Sequence, residues 1–537
     1  MEATDLYAAV APLPARFNLA DYFLDHNLAA GRGDKQALFV GQDSRSYAQL
    51  AEGSRRVAGC LRQAGVRPEE RVLMLLPDDF EFAEVFFGIL RMGGVFAMVN
   101  PLLKQADFAY YLEYSKARVV FAHASTLAEL QPALEASRWC EKVVVVGADE
   151  LPAGDRWVAY DAALAAIDPE GPLGALESTG PDDLAGWLFT SGSTGEPKAC
   201  VHSHSDFAYS TETYALQVAQ FCESDKCMGV PKLFFGYATG TNLMFPFRAG
   251  ASAVLFSARS TADELFDQIA AHRPTLLVGV PTMINNMLRS PRIDAADLSS
   301  LRIMLSAGEA LPPQLYSEWH ERTGVEILDG IGSAEMFHIY ISNRIGDVKL
   351  GSLGKVVPGY EASVVSPSGE PVPSGEPGRL RVRGGSTALC YWGDKLKSRE
   401  SFQGEWCTSG DVFRCDAEGY FFYEGRADDL IKVSGIWTSP LEIENTLLSH
   451  KAVQEVCVLG HADAQQLTKP FAFVVLCPES EGCEALAEEL KQWVKEHLAP
   501  HKYPRWFEWC TALPKNDRGK IARKDLKGRL DSGDYSA

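Results

Sequence analysis

The residues from Thr190 to Lys198, Thr-Ser-Gly-Ser-Thr-Gly-Glu-Pro-Lys, carry the densest chemistry in this chain. Gly192 and Gly195 let the backbone turn its amides inward, the hydroxyls of Thr190, Ser191, Ser193 and Thr194 donate hydrogen bonds, and Lys198 adds a point charge. That is the donor set of a phosphate-holding loop. It is not a P-loop, which needs Gly-x-x-x-x-Gly-Lys-Ser/Thr opening a helix, because here Pro197 precedes the lysine and the hydroxyls lie upstream. Two further stretches bear reactive groups: Asp329-Gly-Ile-Gly-Ser-Ala-Glu335, and Leu513-Pro-Lys-Asn-Asp-Arg-Gly-Lys-Ile-Ala-Arg523. Taken singly, each stretch has an ordinary reading as a Ser/Gly turn, an Asp-Gly turn or a solvated basic tail.

Taken together they resemble the adenylate-forming superfamily of acyl-CoA synthetases, peptide-synthetase adenylation domains and luciferases, from about Phe17 to Leu530. The resemblance implies that the Thr190 to Lys198 loop handles the β and γ phosphates of ATP. In the second stretch it implies that Asp329 meets the adenine amino group, that Ile331 lies on the adenine face, that Gly330 belongs to the same nucleotide-binding set, and that Glu335 helps hold Mg²⁺. Asp411, in Trp406-Cys-Thr-Ser-Gly-Asp411, and Arg426, in Gly425-Arg426, resemble the ribose-binding pair. A carboxylate suits the two ribose hydroxyls, and a guanidinium adds charge-assisted contacts.

In that superfamily a small domain brings a lysine to the carboxylate and ATP, then rotates about a hinge to present a second face to the thiol. Lys520 matches the lysine and Asp428 the hinge. Lys432 to Pro440 match the second face, where Gly435 allows the pantetheine arm of coenzyme A close to the backbone. Thr190, Glu335 and Lys520 are thus the expected catalytic groups. Two positions depart from the usual pattern: Ala199 replaces the glycine after the loop lysine, and Ala334 replaces the threonine before the glutamate. A lost neutral hydrogen bond costs about 0.5–1.5 kcal/mol, which would slow adenylation without abolishing it.

The segments Pro231 to Tyr237, Ser306 to Glu309, Met336 to Tyr340 and Lys432 to Trp437 resemble the benzoate-CoA ligase branch, including 2-aminobenzoate-CoA ligases. No carboxylate occurs between Phe234 and Gly240, where domains taking α-amino acids place an Asp for the ammonium. A planar aryl acid fits, since a ring needs flat apolar walls and few polar groups. Phe235, Tyr237, Ala238, Gly308, His338 and Ile339, with Ile331, are the expected lining. The expected activity is ATP-dependent formation of an aryl adenylate from benzoate or 2-aminobenzoate, then of its CoA thioester. Loading of a carrier-protein phosphopantetheine and a non-catalytic nucleotide-binding role are the alternatives.

Composition bounds the rest. A chain of 537 residues, 46% hydrophobic, holds a large core and divides into more than one unit. A net charge of −20 argues against nucleic-acid partners. The 12 cysteines include no Cys-x-x-Cys pair and read as reduced thiols; Cys200, His202 and His204 read as strand alternation rather than metal ligands. The amino terminus carries no basic segment leading into an apolar run, and the apolar runs fall far short of the ~20 residues of a membrane span. A cytoplasmic monomer or homodimer with no membrane partner is expected.

These groups must be positioned by alternating helices and short strands. Tyr47 to Ala64 and Phe80 to Met92 have helical spacing, and Arg71 to Leu76, Val95 to Val99, Ala117 to Ala122 and Lys142 to Val146 read as strands. That is the βαβ rhythm of a mostly parallel sheet. Asp149 to Asp183 reads as a surface connection. Beyond the loop, Thr261 to His272 reads as a helix, and Leu276 to Val280, Leu301 to Leu305 and Val325 to Leu328 read as strands. Val364 to Gly385 reads as a small β-rich subdomain and Ala485 to Leu498 as a helix. The fold class is therefore α/β, and the resemblance places the boundary between a core of residues 1–427 and a mobile carboxyl-terminal domain of residues 428–537.

Overall fold

The computed structural model describes residues 9–191, 196–426, 429–433, 436–463, 467–515 and 521–532. Strands Arg71–Leu75, Val95–Met98, Val119–His123 and Lys142–Val146 are parallel and form the middle of an eight-stranded sheet. Parallel sheets are covered on both faces, and the strand residues divide accordingly. Val72 and Met74 face one apolar cluster, while Leu73 and Leu75 face another. A nine-stranded sheet, parallel from Gln36–Val40 to Glu326–Gly332 and antiparallel at both edges, divides the same way. Its Leu276 and Val278 share the cluster of Val72, and Leu277 points to the opposite side.

Helices Tyr47–Gln63 and Phe80–Arg91 fill the layer between the two sheets. The second is buried on nearly every side, as expected of a helix packed between two sheets. Ser46 and Gln49 form a reciprocal capping box that starts the first. Helices Gln105–Ser115 and Leu127–Glu135 cover the outer face of one sheet, and Ala262–His272, Pro281–Arg289 and Pro313–Thr323 cover the outer face of the other. The result is five layers, α–β–α–β–α.

The connection expected from Asp149 to Asp183 is more ordered than the sequence suggested. Trp157–Ala159 adds an edge strand to the eight-stranded sheet, and helix Tyr160–Ala165 follows. Three residues are too few to show a period. The segment is pinned instead by the Tyr160 hydroxyl, which donates to the Glu84 carboxylate at 2.6 Å.

Glu361–Val365, Gly378–Arg383, Phe402–Gln403, Trp406–Cys415 and Phe421–Arg426 form an antiparallel sheet, so the β-rich subdomain extends well past Gly385. Toward the carboxyl terminus, strands Val453–Ala462, Thr468–Leu476 and Trp506–Cys510 carry helices Pro440–Leu448 and Glu484–His497 on one face and Arg523–Ser532 on the other. Among the described residues no helix is long and apolar enough to cross a membrane.

Candidate active site

The site forms where the parallel strands of both large sheets end, as the crevice rule for open α/β sheets requires. Strands Leu184–Ser191 and Pro197–Ser203 are the two arms of an antiparallel pair, with Thr190 opposite Lys198 and Ser191 opposite Pro197. Gly192, Ser193, Thr194 and Gly195 lie outside the described residues. The Lys198 ammonium donates to Asp394 Oδ2 at 2.8 Å, and that ion pair holds the Asp394 carboxyl below the usual carboxylate range. Cys200 and His202, two residues apart, share one face of the second arm, and His204 opens the helix that follows. The His202 ring spans from the Asp206 carboxylate to the Ala334 carbonyl, 2.7 Å to each.

The second stretch differs from its expected form as a loop. Its strand runs on through Gly332, changing partner at Asp329: up to there it is parallel to Ile303–Ser306, and from Gly330 it is antiparallel to Ile339–Ser342. Its glycines serve close approach rather than a turn. A Cβ on Gly332 would lie 2.5 Å from the His338 carbonyl oxygen. Chain reversal comes later, at Phe337, whose φ of 64° and ψ of −58° with His338 N–H bonded to the Met336 carbonyl make a strained γ-turn. Such a conformation costs about 1–3 kcal/mol. Packing of the Phe337 ring on Phe207, 4.5 Å between centroids, and on Phe245 holds it in place.

Asp329 is buried, and loss of solvation raises its carboxyl to about 8 against the opposing Ser306 hydroxyl and the Leu311 and Gly330 amides. Its Oδ1 has no hydrogen-bond partner among the described residues. A buried acceptor without a donor fits the exocyclic amine of adenine. Glu335 stands on the turn Ala334–Met336, where the Tyr391 hydroxyl donates to its carboxylate at 2.7 Å. The Glu335 carboxylate lines the cavity, and a single carboxylate fits a Mg²⁺ that takes most of its oxygens from phosphates and water. Ser333 is extended, with its hydroxyl against Tyr340, so it does not replace the hydroxyl missing at Ala334. Asp411 and Arg426 are directly opposite on neighbouring antiparallel strands, with Nε and Oδ1 3.9 Å apart.

The other end of the site is apolar and neutral. His338 is buried, its Nε2 donates to the Tyr237 carbonyl at 3.0 Å, and burial pushes its ionisation down to about 3. Its Nδ1 is left as a bare acceptor, and neither that atom nor the Tyr237 hydroxyl has a hydrogen-bond partner among the described residues. Phe235 caps the one-turn helix Gly236–Thr239 that carries Tyr237. Gly308, at φ 92°, turns the chain beyond strand Ile303–Ser306.

One continuous cavity of about 2620 Å³ joins these parts. Thr190, Lys198, Asp329, Gly330, Ile331, Glu335, Asp411 and Arg426 line it, as do Phe235, Tyr237, Gly308, His338 and Ile339. Ala238 does not: it is fully buried in the core, because neighbours on a helix point about 100° apart and Tyr237 takes the cavity side. From the carboxyl-terminal part, Lys515, Ile521 and Arg523 line the same space, and Lys515 and Ile521 bridge one another as antiparallel neighbours. Lys520 itself, Asp428 and Gly435 lie outside the described residues. Lys432, on strand Ile431–Val433, is exposed and does not line the cavity. Tyr391 and Asp394 were missed by sequence reasoning. An Asp immediately before a Lys-Leu-Lys run signals a helix cap, which Asp394 is, but nothing local ties it to Lys198.

The chain is similar to known proteins over nearly its whole length. Residues 25–392 match the model of the AMP-binding enzyme family, and residues 442–520 match that of the AMP-binding enzyme C-terminal domain. The chain is 42% identical over 517 residues to a benzoate–CoA ligase of Thauera aromatica, covering 96% of each. It superposes on the crystal structure of the anthranilate CoA ligase AuaEII in complex with anthranoyl-AMP with a TM-score of 0.92 and 37% identity, covering 99% of each chain. With a benzoate CoA ligase from Burkholderia xenovorans the TM-score is 0.87 at 40% identity, covering 95% of this chain and 99% of the other.

Proposed function

The chain belongs to the AMP-binding enzyme family, and on that premise we propose that it is an AMP-forming aryl-CoA ligase acting on benzoate or 2-aminobenzoate. The observation that carries this reading is the single cavity in which Lys198, Glu335 and the unpartnered Asp329 acceptor share walls with a buried, uncharged aromatic end. The aryl carboxylate attacks the α-phosphorus of ATP, a P–O bond forms, and pyrophosphate leaves. Then the CoA thiol attacks the acyl carbon, gives up its proton, and AMP leaves. Lys198 and Thr190 hold the leaving phosphates, Asp329 the adenine, and Asp411 with Arg426 the ribose. Bound Mg²⁺ at Glu335 would neutralise charge that builds on the departing oxygens. Lys520 bridges the aryl carboxylate and the α-phosphate, drawing two anions together before attack.

Residues 1–427 and 428–537 act as two domains turning about Asp428. With Lys515 and Ile521 at the cavity and Lys432 outside it, the arrangement suits the first half-reaction. Rotation about the hinge would exchange that face for the one bearing Lys432 and Gly435, as gating motions do. Pyrophosphate release over benzoate, 2-aminobenzoate, hydroxybenzoates, cinnamate and medium-chain fatty acids tests the substrate. Free CoA and a phosphopantetheinyl carrier domain, offered in parallel, test the acceptor. Preference for benzoate or 2-aminobenzoate with free CoA is expected. Preference for a fatty acid, or thioester formation on the carrier alone, would contradict the proposal.

A further inference from the structure

Behind Lys198 the strand ladder carries an insertion that no motif records. Strand Cys390–Tyr391 runs antiparallel to Pro197–Ser203 with Tyr391 opposite Cys200, so the next facing pair is Trp392 and Ala199. Facing residues in a hydrogen-bonded antiparallel pair exchange two backbone bonds. Here Trp392 N–H donates to the Ala199 carbonyl at 2.9 Å, but the return bond is missing. In its place stands the Tyr114 hydroxyl, which accepts from Ala199 N–H at 3.2 Å and donates to the Trp392 carbonyl at 2.6 Å. One turn earlier on the same helix, Tyr110 stacks on Tyr114 and donates to the Pro197 carbonyl at 2.6 Å. The peptide units on both sides of Lys198 are thus held by two phenols.

The other strand is fixed as firmly. The Trp392 ring lies 4.9 Å from that of Trp187, and the Arg71 guanidinium sits over both, while Arg71 Nε donates to the Ser115 carbonyl at the end of the tyrosine helix. Two residues past Trp392, Asp394 presents Oδ1 to Lys397 N–H at 3.0 Å and Oδ2 to Lys198. The hydroxyl wedge therefore sets the separation between the strand bearing Lys198 and the strand leading to its carboxylate partner.

We propose that Tyr114 is a positioning residue for nucleotide binding: its hydroxyl, wedged between Ala199 and Trp392, fixes where Lys198 stands relative to Asp394 and the phosphates. The inference rests on the adenylate-forming reading of the site. Tyr114→Phe removes the wedge, so Ala199 N–H either loses its partner or closes directly on Trp392, and the backbone that carries Lys198 loses its fixed spacing from the strand leading to Asp394. Tyr110→Phe removes one bond and leaves the ladder as it is.

The test measures ATP affinity by calorimetry, KM for ATP and for the aryl acid, thioester formation from supplied benzoyl-adenylate, and amide exchange at residues 196–203. For Tyr114→Phe, ATP affinity should fall about tenfold and amide exchange should rise, because a two-bond link to the backbone is lost. Tyr110→Phe should fall in the same direction by about threefold or less. The aryl-acid KM and the thioester rate should hold within about twofold, as interactions with other substrates are untouched. Unchanged ATP affinity in Tyr114→Phe, or a parallel loss of ATP affinity, aryl-acid KM and thioester rate, would overturn the proposal. The ATP-affinity and exchange arms also read out in a protein that turns over no acid. Failure of the proposed activity is thereby distinguished from failure of this inference.

Discussion

The two ends of the cavity are built by opposite means. At the nucleotide end, charged and hydroxyl-bearing groups stand on or beside strands of three different sheets and are held by polar contacts: Lys198 to Asp394, Glu335 to Tyr391, and Asp411 facing Arg426. At the aryl end, Tyr237 and His338 come from one short helix and one strained turn, carry no net charge, and are held by rings: Tyr214, Phe245 and Phe337 all lie within ring-contact distance of His338. In the proposed function, charge and hydrogen bonding fix the triphosphate that every substrate pair shares, and packing shapes the part that distinguishes one acid from another. Substitutions at the two ends should therefore separate cleanly in kinetics.

The largest separation is expected at Glu335. Glu335→Gln should lower aryl-adenylate formation about 10²-fold, measured by pyrophosphate release, while thioester formation from supplied benzoyl-adenylate persists. Asp411→Ala should raise KM for ATP about tenfold or more through lost charge-assisted bonds to ribose, with the KM for aryl acid unchanged. His338→Phe should do the reverse, shifting selectivity among benzoate, 2-aminobenzoate and hydroxybenzoates about tenfold without moving the KM for ATP. A His338 variant that altered ATP and acid together would break the separation.

A smaller effect concerns stability. Folded His338 takes up its proton only near pH 3, against an ordinary value of 6.5. Between those values the unfolded chain binds a proton that the folded chain refuses, so this group's contribution is complete above about pH 6.5 and is lost as the pH falls toward 3. The difference in denaturation midpoint between the protein and His338→Gln should shift in favour of the variant on going from pH 7.5 to 5. The smallest effect is expected from Ala334→Thr, which should keep or raise the adenylation rate by less than about tenfold, the worth of one neutral hydrogen bond. A large loss would mean that the segment is misassigned.

The nucleotide stretches stand out in the sequence because their residues are contiguous: Thr190 to Lys198, Asp329 to Glu335 and Leu513 to Arg523 each show their composition without help from the fold. Helix Tyr47–Gln63 and strands Arg71–Leu75 and Lys142–Val146 were legible from spacing for the same reason. What was hidden depends on register between distant segments. Lys198 and Asp394 are 196 residues apart, and Tyr114 meets Trp392 across 278. The glycines of Asp329 to Gly332 suggested a loop, whereas the chain uses them to let two backbones approach inside a sheet. Ala238 was misjudged because a four-residue helix shows no face in sequence.

The central claim is that the tail lysine and the hydroxyl-rich hairpin meet at one triphosphate beside one aryl acid. Benzoate-dependent exchange of labelled pyrophosphate into ATP, without CoA, measures this directly in the protein and in Lys520→Ala. The account predicts exchange that requires benzoate and is lost in Lys520→Ala, although that variant still forms the thioester from supplied benzoyl-adenylate. Exchange that survives in Lys520→Ala, or that proceeds equally without any acid, would contradict it.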